Sequence, residues 1–191
     1  MMVTGVPILT LLIALPIVGS LLLLALPNRD GAKDQTMRLG ALAISLVTFL
    51  LSLALWASFD QSAAAPAFQF VERHSWIPTF GIEYYLGLDG ISLMLVVLTT
   101  FLTPIALLSG WEGIHERVKE FSIFMLLLEA ALIGVFLSLD LFLFYVFWDV
   151  VLIPMYFLIG IWGYDQRLYA SIKFLLYTMA GSVLMLVAII G

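Results

Sequence analysis

Residues 144–156 read FYVFWDVVLIPMY. Asp149 is the one charge in this stretch, set among aromatic and aliphatic side chains, with Pro154 shortly after it. The stretch is the middle of a longer apolar run from Leu141 to Trp162. A bilayer's hydrocarbon core is about 30 Å thick, and a helix crosses it with about 20 mainly apolar residues. The run has that length, so the sequence predicts a membrane-spanning helix with an acid in its middle.

Working outward, five more segments meet the same criterion: Val6 to Leu26, Met37 to Phe59, Leu88 to Leu108, Phe121 to Leu139 and Tyr169 to Ile190. Only helices and closed barrels satisfy their backbone polar groups in lipid. These runs are too long and too unalternating for barrel strands. The expected fold class is all-α, a polytopic transmembrane helical bundle of about six helices forming one region over residues 1–191. Composition agrees: 63% of residues are hydrophobic and 11% charged, and mean hydropathy is +1.14, whereas soluble domains carry about 25% charged residues. Met1 to Val6 has no basic residue, and the run that follows is longer than a signal-peptide core. It therefore reads as a retained membrane helix.

The 13 acids and 8 bases lie mainly between the apolar runs. No basic patch suited to nucleic acid forms. With no cysteine, this chain offers no disulfide, thiolate zinc site or iron–sulfur ligation. His74 and His115 fall in separate connections and make no metal pair by spacing. No nucleophilic triad or phosphate-binding glycine loop is present.

The long connection, residues 60–87, holds most of the extramembrane aromatics and is expected to be an ordered outer loop. Trp76, Tyr84 and Tyr85 suit a membrane-interface belt, as do Trp111 and Trp162 at the other side. Basic residues set the orientation. Arg29, Lys33, Arg38, Arg117, Lys119 and Arg167 flank the first, third and fifth connections, against Arg73 alone in the second. By the positive-inside rule those odd connections are expected to face the cytoplasm and the N-terminus to lie outside.

Three charged residues fall in the interior of expected spans, away from their ends: Glu129, Asp149 and Lys173. Each costs at least about 2 to 3 kcal/mol at mid-bilayer and normally faces a bundle interior, a partner charge or water. Glu129 and Asp149 each sit roughly 12 Å from the nearer expected helix end, too deep for short side chains to escape. Lys173 lies only about 6 Å from its end, so it reads equally as a snorkelling anchor. Tyr145, Asp149, Leu152 and Tyr156 share one helix face, as do Tyr169, Lys173, Tyr177 and Ala180. The two stripes have the spacing to face each other, and they have equally the spacing of plain packing surfaces. Pro154 removes the hydrogen bond to the Val150 carbonyl and loosens the turn beside Asp149, or serves as a common membrane-helix kink. A buried acid beside a cation whose distance changes can load and release a proton.

The stretch EAALIGVFLSLDLFLFYVFWDVVLIPMYFLIGIWG, Glu129 to Gly163, followed by YASIKFLLYTMAGSVLMLVAII, Tyr169 to Ile190, resembles the antiporter-like membrane subunits of respiratory complex I, in the branch of subunit M and chain 4. WIPTFGIEYYLGLDGIS, Trp76 to Ser92, resembles the segment leading into that family's third helix. The resemblance covers essentially the whole chain. It implies proton movement coupled to electron transfer from NADH to quinone, with quinone, flavin and iron–sulfur clusters held by partner subunits and none in this chain. Its partners are then the other membrane subunits and the lipid bilayer, with no nucleic acid. It aligns Asp149 with an essential glutamate of the fifth helix, matches Lys173 to a sixth-helix lysine, and matches Glu129 to a position acidic in part of the family.

Two departures bear on that transfer. Asp149 is one methylene shorter than glutamate, which lengthens the gap to a partner by about 1 Å. Family members also continue to about fourteen helices, including a second inverted repeat, so this polypeptide is expected to be part of a longer subunit or to be completed by another chain. The same ancestral fold serves multisubunit cation/proton antiporters and membrane hydrogenases. A silent structural spacer is the third possibility.

Overall fold

The computed structural model describes residues 7–28, 33–62 and 65–190. Val6, where the first span was expected to start, and Arg29 lie outside them. Six long helices carry the chain: α1 (Ile8–Ala25), α2 (Asp34–Ser58), α3 (Gly90–Ser109), α4 (Val118–Leu137), α5 (Leu141–Trp162) and α6 (Arg167–Ile190). All six are long and apolar enough to cross a membrane. The polytopic helical bundle is therefore the architecture of this chain.

Several ends differ from the apolar runs for local reasons. α3 starts at Gly90 because Asp89 caps it: the carboxylate accepts from the Ser92 N–H at 2.7 Å while Ser92 Oγ accepts from the Asp89 N–H at 3.1 Å, a reciprocal capping box. α4 begins at Val118 and takes in Lys119 and Glu120, polar residues that a hydropathy reading leaves out. It ends at Leu137, where Ser138 bridges to Leu86 and the Leu139 N–H donates to the Tyr85 carbonyl at 2.9 Å.

The long connection contains a hairpin, β1 (Gln69–Ile77) and β2 (Ile82–Leu88), joined by a 3-10 turn at Pro78–Phe80. Gly81 closes that turn at φ +67°, a conformation glycine adopts without cost. Arg73 pairs with Tyr85 and His74 with Tyr84 in the antiparallel register. The hairpin lies at one end of the bundle. Glu72 accepts from the N–H groups of Leu9 and Thr10 at 2.7 and 3.1 Å, capping α1 from 62 residues away, and the Glu83 N–H donates to Asp140 at 3.3 Å.

Helices α1 to α4 pack around one another, with α4 touching α1, α2 and α3, while α5 lies on α4 and α6 on α5. The buried core of α1–α4 divides into two apolar clusters. The one at the hairpin end joins Leu9, Leu12, Leu55, Leu86, Leu93, Val96, Ile133 and Leu137. The one at the opposite end joins Leu23, Met37, Ala41, Leu107 and Leu126.

Candidate functional site

α5 and α6 pack side by side in antiparallel register. A Cβ built on Gly160 would sit 3.2 Å from Ser171 Oγ, and Ser182 Oγ donates to Asp149 Oδ1 at 2.5 Å. Asp149 is half-buried and Ser182 is 4% exposed. Within the span, Asp149 thus holds its hydroxyl partner on the face turned to α6. Pro154, buried on the same helix, leaves the Val150 carbonyl without its helical donor.

This arrangement corrects the expected meeting of two stripes. Ser182 lies nine positions beyond Lys173, roughly 13 Å farther along the axis, so Asp149 and Lys173 are at different depths. Lys173 is exposed and stands over the Tyr169 ring at 5.6 Å. Tyr169 and Tyr177 are exposed with it. Because α6 begins at Arg167, Lys173 is six residues inside the helix, roughly 9 Å from its end, still within reach of a long stem.

Glu129 occupies a different place. It is 1% exposed, and neither carboxylate oxygen has a hydrogen-bond partner among the described residues. On α4 it shares a face with Ser122, Leu126, Ile133 and Leu137, the residues that enter the α1–α4 core. The opposite side of α4 meets α5: Phe124 stacks on Phe157 at 4.8 Å, and Gly134 lies against the Phe147 ring. Glu129 and Asp149 therefore point away from each other.

Two ion pairs occur among the described residues, Arg73–Glu83 at 2.5 Å and Arg117–Glu120 at 3.5 Å, and both lie at the bundle's ends. No group of three or more His, Cys, Asp or Glu side chains suited to a metal ion forms among the described residues. Ser182 escaped the sequence reading. Its signal was weak, one serine in an apolar helix, and only the packing of α5 on α6 sets its depth.

Residues 36–138 match the family model described as NADH-ubiquinone oxidoreductase chain 4, amino terminus. The chain belongs to the chain 4 family. Residues 138–191, which carry Asp149 and Lys173, match a second model, NADH:quinone oxidoreductase/Mrp antiporter, TM. Among chain 4 relatives, NADH-ubiquinone oxidoreductase chain 4 of Arabidopsis thaliana is 51% identical over 180 residues, covering 94% of this chain and 35% of its own length. NADH-quinone oxidoreductase subunit M of Rhodobacter capsulatus is 48% identical over 185 residues, 96% of this chain and 35% of that protein. A chain of respiratory complex I from Thermus thermophilus with bound NADH superposes with a TM-score of 0.77 at 29% identity, over 95% of this chain and 35% of that one. The chain thus spans about a third of the length of its chain 4 relatives.

Proposed function

We propose that this chain works as part of a membrane subunit of a proton-translocating NADH:quinone oxidoreductase, with Asp149 as the group that takes up and releases the proton. One observation carries the reading: a carboxylate deep in α5, held by the Ser182 hydroxyl across the α5–α6 interface, in a chain of the chain 4 family. A carboxyl at that depth is costly, and such residues pair with a partner, face water or mark a proton path. Ser182 Oγ orients it, and the loosened turn at Pro154 supplies a carbonyl to a proton path. Lys173, at another depth of the same interface, serves as a separate cationic group farther along α6, and Glu129 as a second acid. Quinone, flavin and iron–sulfur clusters belong to partner subunits in this reading, and electron transfer takes place there. In this reading the end away from the hairpin, rich in basic residues, is the cytoplasmic one by the positive-inside rule, and the membrane is a bacterial inner membrane.

The test is Asp149→Asn in the assembled complex. Proton pumping driven by NADH should be nearly lost, and full pumping would overturn the proposal. A second reading, a cation/proton antiporter subunit, is favoured by the antiporter description of the model matching residues 138–191. Sodium-dependent proton exchange by a complex without quinone-reducing partners would select it.

A further inference from the structure

Each of the four core helices changes character at the same depth. α2 buries Met37 and Ala41 in the cluster away from the hairpin, then Ser45, Thr48 and Ser52, then Leu55 in the cluster near it. α3 runs the other way, from Leu93 and Val96 through Thr100 and Thr103 to Leu107. On α4, Glu129 falls between Leu126 of one cluster and Ile133 of the other. α1 contributes Pro16, Gly19 and Ser20 between Ile13 and Leu23. A polar layer therefore separates two apolar layers, and Glu129 is its one ionisable member among the described residues.

Hydroxyl side chains in membrane helices often serve packing alone. The donor and acceptor balance here indicates more. Ser45, Thr48, Thr103 and Ser20 each donate to a carbonyl three or four residues earlier on their own helix. Ser52 and Thr100 meet each other at 2.8 Å, so that one hydroxyl donates to the other and the second donates to a carbonyl of its own helix. With those hydrogens committed, the layer presents oxygen lone pairs. Buried Pro104 and Pro16 add to them, since each removes the helical donor to a carbonyl four residues back, those of Thr100 and Leu12. The layer is rich in acceptors and poor in donors. An ionised carboxylate gains nothing there, whereas a carboxylic acid supplies the missing donor. Glu129 is the fully buried side chain whose oxygens are unpartnered. A small cavity lined by Arg38, Leu107, Trp111 and Ser122 lies at the end away from the hairpin. Ser122 lies on the Glu129 face of α4, seven residues or roughly 10 Å away.

We infer that Glu129 and the hydroxyl layer of α1–α4 form a second proton-binding site, separate from Asp149, in which the protonated acid donates to the layer's oxygens. The charged groups on the surrounding elements lie elsewhere. α1 and α3 have none among their described residues, α2 has Asp34 and Arg38 at one end, and Asp149 on α5 faces α6. This deepens the proton-translocating reading by giving Glu129 its own site, and it rests on that reading for its role in turnover.

The test uses infrared difference spectra of the assembled complex in lipid, taken at rest after a pH jump in H2O and in D2O. A carboxylic-acid carbonyl band is expected that Glu129→Gln removes, D2O shifts downward, and Ser52→Ala combined with Thr100→Val shifts upward. Asp149→Asn should leave it in place. Should Glu129→Gln fail to assemble, Glu129→Asp serves, since it should move the band without abolishing it. No band assignable to Glu129, a band indifferent to both D2O and the hydroxyl variants, or a band answering to sodium at fixed pH would each overturn the inference. These signals are read without turnover. Retained pumping in Asp149→Asn would therefore defeat the proposed function while leaving this site standing.

Discussion

Ser182 Oγ donates to Asp149 Oδ1 at 2.5 Å, tying α6 to α5 at the level of the half-buried acid. A hydrogen bond to a charged group contributes about 1.5–3 kcal/mol, roughly a tenfold effect or more on an equilibrium it biases. Ser182→Ala should therefore slow proton pumping by the assembled complex about tenfold without preventing assembly, and Ser182→Thr should restore most of it. Pumping is measured as acidification of inverted membrane vesicles on NADH addition. An unchanged rate in Ser182→Ala would mean the hydroxyl does not position the acid.

Glu72 gives a prediction about stability. Its carboxylate accepts from Leu9 N–H, Thr10 N–H and Thr10 Oγ1, the last at 2.5 Å, and Thr10 Oγ1 also meets the Tyr84 hydroxyl at 3.0 Å. Glu72→Ala leaves the start of α1 uncapped, a loss of about 0.5–2 kcal/mol, and loosens the hairpin from the helix. The variant should melt at lower temperature in detergent and be cut faster by protease between Asp60 and Phe68. Glu72→Gln, which keeps the acceptor oxygen but loses the charge, should fall between the two.

How much of this was legible beforehand differs by residue. The six helices and the depth of Glu129 and Asp149 follow from the lengths of apolar runs, because a bilayer imposes one length on every span. The pairing of Asp149 with Ser182 does not follow. A helical wheel shows that Tyr169, Lys173 and Tyr177 share a face, but the depth at which α6 meets α5 depends on the turn at Tyr164–Gln166 and on the close approach of Gly160 to Ser171. The hairpin was hidden for another reason. The strands sit inside what reads as a loop, and their placement depends on contacts with Leu9, Asp140 and Leu139 that are distant in sequence. The polar layer was equally hidden, since its hydroxyls lie on four helices and only packing brings them to one depth.

Asp89 predicts a pH dependence outside the spans. The Ser92 side chain and N–H hold its carboxyl below the usual carboxylate value of 3.8, against a smaller upward push from burial. A group with a lowered folded value stabilises the fold above its unfolded value and loses that contribution as pH falls through the folded one. Stability of the α3 start should therefore be level above about pH 5 and decline below pH 3.8. Asp89→Asn keeps a capping oxygen and removes the titration, so it should flatten this acid limb, while Asp89→Ala should cost about 1 kcal/mol at neutral pH. Melting temperature against pH in detergent checks both, and an acid limb unchanged in Asp89→Asn would assign it to other carboxyls.

Gly134 and Phe147 predict a coupling between α4 and α5. A Cβ at Gly134 would overlap the Phe147 ring, so the glycine is needed for close approach and not for an unusual backbone. Gly134→Ala forces the ring or the helix to move, and overpacking of this kind costs about 1–3 kcal/mol. Phe147→Leu alone loses packing against the cluster near the hairpin, where Phe147 is a partly buried member. In the double variant the smaller side chain makes room for the methyl, so the two losses should not add, and a coupling of roughly 0.5–3 kcal/mol is expected for residues in contact. The measurement is the melting temperature of the four proteins of the cycle in one detergent. Strict additivity would show that the helices do not meet at this pair, and with it the opposed directions of Glu129 and Asp149 would lose their support.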